Sequence, residues 1–92
     1  MESRQNANAG AEYGWLPPWK LRERYVDPVA VDADDAQTRL YLAVVTGQLR
    51  ARFEGRTLSV NQIALMSDMK ALRLPPDIEL SVVDARRKWS RP

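Results

Sequence analysis

The sequence predicts a small α+β fold, mostly helical, with one β-hairpin and a C-terminal helix. Three observations carry this. Apolar residues fall at helical spacing in several segments, and one stretch alternates at strand period around a Glu-Gly pair. Pro pairs, Gly and Ser/Asp caps separate these segments.

The elements follow in order. Met1 to Gly14 is rich in Asn, Ala, Glu and Gln with almost nothing to bury, and reads as a disordered arm. Residues 15–92 then form one domain, as a chain of 92 residues allows. In "WLPPWKLRERYVDP", Pro17 and Pro18 can open a helix where no N–H partner is needed, Leu21 and Tyr25 share a face one turn apart, and Asp27-Pro28 ends the segment. Asp32 or Asp34 caps a second helix with an apolar stripe of Leu40, Tyr41, Val44 and Val45, and Gly47 stops it. From Leu49 the pattern alternates, with Leu49, Ala51 and Phe53 inward and Arg50 and Arg52 outward. Glu54-Gly55 turns the chain back through "RTL". "SVNQ" is a capping box for a third helix from Val60 through Ile63, Leu65, Met66 and Met69. Pro75 and Pro76 forbid helix, and a short extended piece follows. Ser81 with Asp84 then opens a last helix carrying Val82, Val83, Ala85 and Trp89 inward and Arg86, Arg87 and Lys88 outward. The large aromatics Trp15, Trp19, Tyr41, Phe53 and Trp89 are all expected in the core.

Composition narrows the function classes. With neither Cys nor His, the chain has no disulfide, no thiolate or imidazole metal ligand and no imidazole acid/base group. A non-enzymatic protein without metal or cofactor is therefore expected. Ser59 and Ser81 are read as caps, not nucleophiles. No apolar run reaches the length of a signal peptide core or a membrane span, so a cytoplasmic protein without membrane contact is expected. The net charge of +2 hides an asymmetry: residues 1–46 carry −2 and residues 47–92 carry +4, which suits an anionic partner.

The order helix, helix, Gly, basic hairpin, helix resembles the small winged helix-turn-helix domains of excisionases, also called recombination directionality factors, and the related MerR-like domains. The stretch that carries the resemblance is "GQLRARFEGRTLS", a G-x-L-x-A segment followed by a Gly-Arg turn and a Ser-capped helix. The resemblance implies that "DAQTRLYLAVVTGQL" is the recognition helix, with Gln37, Thr38 and Arg39 on its major-groove surface. It also implies that the hairpin is a wing, with Arg50, Arg52 and Arg56 at phosphates or the minor groove. Arg86, Arg87 and Lys88 are candidates for further phosphate contacts. The implied function is sequence-specific or architectural binding of double-stranded DNA by several copies that bend it for a site-specific recombinase, or transcription regulation. The pattern departs from the family at Asp34 and Asp35, which face where phosphates approach, and in the length of the link from Tyr25 to Asp34.

Each basic group also has a plainer reading, as a solvated strand face, first turn or helix end. On either reading, with Leu49, Ala51 and Phe53 as the inward strand face, Arg50 and Arg52 make no core contact and their removal leaves folding nearly untouched. A different function class stays open as well: a protein-interaction module, adaptor or antitoxin, that dimerises or docks a partner through the third helix, which is apolar almost all round.

Overall fold

Helix breakers divide the chain into short elements. The structure, a computed structural model, describes residues 14–89, so nearly all of the predicted arm lies outside the described residues. Among these residues the fold is α+β, with four α-helices and a four-stranded antiparallel sheet. Strand β1 (Trp15–Leu16) leads into α1 (Pro18–Leu21), which Pro17 and Pro18 start without a side-chain cap. The chain does not stop at Asp27-Pro28. It widens into π-type turns over Arg22–Val26 and a 3-10 turn over Asp27–Val29 before Ala30 becomes extended. That widened stretch lets Leu21 and Val26 both reach the core, where they are fully buried.

Helix α2 (Ala33–Val45) begins at Asp32, whose carboxylate accepts the Asp35 N–H at 2.8 Å. Its buried stripe is Ala36, Leu40, Tyr41, Ala43 and Val44. Gly47, at φ +85°, ends it in the left-handed region that residues with a Cβ rarely enter. The hairpin follows as β2 (Ala51–Phe53) and β3 (Arg56–Thr57). Ser59 and Gln62 then make the full reciprocal capping box of α3 (Val60–Met66). A loop through Pro75 and Pro76 leads to β4 (Glu79–Ser81), which runs directly into α4 (Val82–Trp89).

The strand order is β1-β4-β2-β3, so the last strand in the chain lies inside the sheet. Leu80 sits between Leu16 and Ala51 in the register, and these three form the centre of the core face. The opposite face carries Trp15, Arg52, Glu79 and Ser81, as the strand period of two requires. The hairpin is therefore joined to the sheet along β2, with β3 alone at that edge.

Several core expectations are corrected. Trp19 is 66% exposed, because α1 turns Leu21 inward and leaves its neighbour two positions back on the outer side. Trp15 lies on the outer sheet face, half-buried, because Leu16 takes the core face of β1. Val83 is exposed, since Val82, Ala85 and Trp89 already define the buried stripe of α4. Phe53 is only partly buried, whereas Tyr41 and Trp89 are in the core. Helix α3 stops at Met66, three residues short of Met69. Ser67 turns extended and its hydroxyl bonds back to the Ile63 carbonyl at 2.6 Å. Of the α3 apolar residues only Ile63 is fully buried; Leu65 is 87% exposed.

The hairpin turn places both Glu54 (φ +51°) and Gly55 (φ +80°) in the left-handed region. A glutamate pays steric strain there that asparagine largely avoids. Glu54→Asn should raise stability by about 0.5 kcal/mol, read from urea unfolding with an unchanged slope. A loss of stability would show that the Glu54 side chain makes a compensating contact.

Candidate functional site

The residues that the resemblance assigns to a recognition surface all have work inside the fold. The Gln37 amide donates to the Leu72 carbonyl at 3.1 Å and to the Ala71 carbonyl at 3.4 Å, tying the loop before β4 onto α2. The Thr38 hydroxyl bonds back to the Asp34 carbonyl at 2.9 Å. Arg39 donates to Asp35 at 2.7 Å, one turn away. The Val31 N–H and then Arg39 hold the Asp35 carboxyl below its ordinary range. Together with Asp34, this makes the first turn of α2 an acidic, internally paired surface.

Two of the hairpin arginines are tied down as well, which corrects the expectation of a free outer face. Arg52 faces Glu79 across the β2–β4 ladder and pairs with it at 2.7 Å. Its guanidinium also lies 4.5 Å from the centroid of the Trp15 ring. Arg50 donates three hydrogen bonds to Asp84. Its backbone N–H reaches Oδ2 at 2.9 Å, Nε reaches Oδ2 at 2.8 Å and a terminal nitrogen reaches Oδ1 at 3.2 Å. Arg56 is exposed at the start of β3, opposite Phe53.

Asp84 is the residue of this candidate site that sequence reasoning missed. Ser81 and Asp84 had the spacing of a capping box, and Ser81 does accept the Asp84 N–H at 3.2 Å. The reciprocal bond is not made, because the Ser81 N–H is already donated to the Arg50 carbonyl at 2.9 Å. The Asp84 carboxylate is thus released to serve Arg50. Its side chain is only 6% exposed while that of Arg50 is 58% exposed, so the pair bridges interior and surface.

Around this carboxylate the structure gathers cations from distant parts of the chain. Arg87 approaches Asp84 Oδ1 at 3.5 Å with its side chain 74% exposed, and Lys88 donates to the Gln48 amide oxygen. Gly47, Gln48, Arg50, Asp84, Arg87 and Lys88 line one open polar concavity between the α2–β2 turn and α4. Three cations against one carboxylate leave it at +2, with the side chains of Arg50 and Arg87 largely exposed. Arg86 is exposed on the same turn of α4. No group of three acidic residues that could hold a metal ion occurs among the described residues, and no helix there is long and apolar enough to cross a membrane.

Burial pushes the Asp84 carboxyl up, but the Arg50 side-chain and backbone hydrogen bonds, the guanidinium charge and the Ser81 hydroxyl outweigh it and hold the group below its ordinary range. The same pairing raises the Arg50 guanidinium. Since the folded pKa of Asp84 lies below the unfolded one, the stability it adds is complete above the unfolded carboxylate value of about 4 and is lost as pH falls through the lower folded value. Asp84→Asn should lower stability at neutral pH by about 1–3 kcal/mol and narrow its gap to the parent chain as the solution is acidified. Urea unfolding across acid pH measures this; a constant gap would show that the Asp84 charge is not what stabilises the fold.

Comparison with protein-family models, with curated proteins and with solved structures gave no match to this chain.

Proposed function

We propose that this chain is a non-enzymatic protein of the cytoplasm that binds double-stranded DNA, and that its contact surface is the cationic concavity of Arg50, Arg87 and Lys88 extended by Arg86 and by Arg56 on the hairpin. The observation that carries this reading is the convergence of those three cations, from two distant segments, around a single buried carboxylate. Asp84 fixes Arg50 in place, so ordering that side chain at a phosphate costs little further entropy. Arg87 and Lys88 sit in the last turn of α4, where they complement the helix dipole, and both are exposed to an incoming anion.

The finer part of the proposal is a winged-helix arrangement, in which α2 and the β2–β3 hairpin stand for recognition helix and wing and the protein acts as an excisionase-like directionality factor or small transcription regulator. The element order supports it. The engagement of Gln37, Thr38 and Arg39 shifts its weight from reading bases on α2 to phosphate contact along the hairpin and α4. A surface of this size neutralises few phosphates, so several copies must act together for useful affinity.

Titration of random-sequence duplex at a series of salt concentrations tests the reading. Arg87→Ala with Lys88→Ala should weaken binding to all sequences alike and flatten the plot of log K against log salt by about two units, with the thermal midpoint little changed. An unchanged slope, or no binding at low salt, would overturn it. A specific observation favours a second reading in that case: Leu65, Met66 and Met69 expose large apolar side chains at and just beyond the end of α3. An interaction module using that surface should sediment as a dimer or larger, and Leu65→Ser should return it to a monomer.

A further inference from the structure

Away from the cationic concavity, a second surface combines an aromatic wall, a strained loop and uncompensated positive charge. The α1 residues Pro18 and Trp19 stand on one side of an open groove of about 300 Å³, and Leu72, Leu74 and Pro76 of the loop before β4 stand on the other. Leu40 and Tyr41 of α2, both almost wholly buried, also line it. The loop wall does not form by default. Leu72 is held at φ +55°, a conformation that costs a residue with a branched side chain free energy, and the Gln37 amide clamps its carbonyl in that state. Trp19 likewise leaves two thirds of a large apolar surface in water. The fold thus keeps two unfavourable arrangements that face each other across one cleft.

The charge on this groove is one-sided. Arg22 and Arg73 line it and no Asp or Glu does. Arg22 is partly neutralised by Asp27 at 3.0 Å, whereas the exposed Arg73 guanidinium makes no ion pair among the described residues. From this we propose that the groove binds a linear segment of a partner protein, one that places an apolar side chain between Trp19 and Leu72 and a carboxylate on Arg73. The open shape selects a peptide over a small ligand, because a small-ligand pocket encloses most of its occupant whereas this groove leaves Trp19, Arg73 and Pro76 of its lining exposed. The carboxylate follows from charge complementarity, and the guanidinium fork fixes its register along the groove. The chain would then hold DNA on one surface and a protein on another, and neither contact depends on the other.

A displayed random peptide library selected on the full chain tests this, followed by titration of the enriched peptides in solution. Enriched sequences should carry Asp or Glu beside a large apolar residue and should shift tryptophan emission to shorter wavelength on binding. Trp19→Ala should weaken that binding by about tenfold or more, as should Arg73→Glu, while Arg73→Lys retains most of it. Duplex DNA should not displace the peptide, and Arg87→Ala with Lys88→Ala should leave its affinity unchanged. Trp19 is exposed and Arg73 unpaired, so both variants should keep the parent circular dichroism and thermal midpoint. The proposal is overturned by failure to enrich, by enriched sequences without acidic residues, or by unaltered affinity in folded Trp19→Ala and Arg73→Glu. Sedimentation that shows the groove occupied by a second copy, with Trp19→Ala producing monomers, would overturn it too.

Discussion

The Asp84 carboxylate is the joint on which the rest of this structure depends. It accepts the backbone and the guanidinium of Arg50, and it sits one turn into the helix that Ser81 caps. One side chain thereby fixes the approach to β2, the start of α4 and the orientation of a surface cation. An ion buried to this degree is tolerated only when its lone pairs are satisfied, and three donors from Arg50 meet that demand. Among the described residues no buried side-chain nitrogen or oxygen is left without a partner. The site gets its geometry from this constraint, since the guanidinium that an anion would meet is already oriented from behind.

The same logic governs the outer sheet face. Arg52 is paired to Glu79 and stacked over Trp15, so three strands are linked by one side chain on the side away from the core. Exposed ion pairs contribute little singly, but here the pair lies across a ladder and an aromatic ring covers it. Arg50 and Arg52, two residues apart and alike in composition, thus have different duties. One is held so that it can present charge; the other is spent on holding the sheet.

How much was legible follows from distance along the chain. Gly47, Glu54-Gly55 and the Ser59/Gln62 box act within about four residues of themselves, and each marked its boundary correctly because the governing physics is local; the cap of α2 was open between Asp32 and Asp34, and Asp32 takes it. The outward orientation of Arg50 and Arg52 was equally readable from the strand period. Their partners were not, because Glu79 and Asp84 lie on the other side of α3 and no pattern in "GQLRARF" refers to them. Asp84 was visible as a capping residue, and only the sheet, by taking the Ser81 N–H, decided that its carboxylate would face elsewhere. Trp19 was misplaced for a related reason. Helical spacing alone could not tell which face of so short a turn would meet the core, and Leu21 took it. The Gln37 clamp depends on a left-handed leucine, which no local rule anticipates.

The position of β4 inside the sheet has a consequence for how the chain comes together. Its neighbours β1 and β2 come from earlier parts of the sequence, and β1 contributes only two residues from the start of the described chain. The helices and the hairpin can form as soon as they exist, being local, but the sheet cannot close until β4 is present. Until then the arginines of the hairpin have no carboxylates to answer them, and Leu16 and Ala51 have no Leu80 to separate them from water. Folding in this sense waits on β4: without it the hairpin and β1 are separate local pieces with their inner apolar residues uncovered, and its insertion between them is what makes one sheet of them.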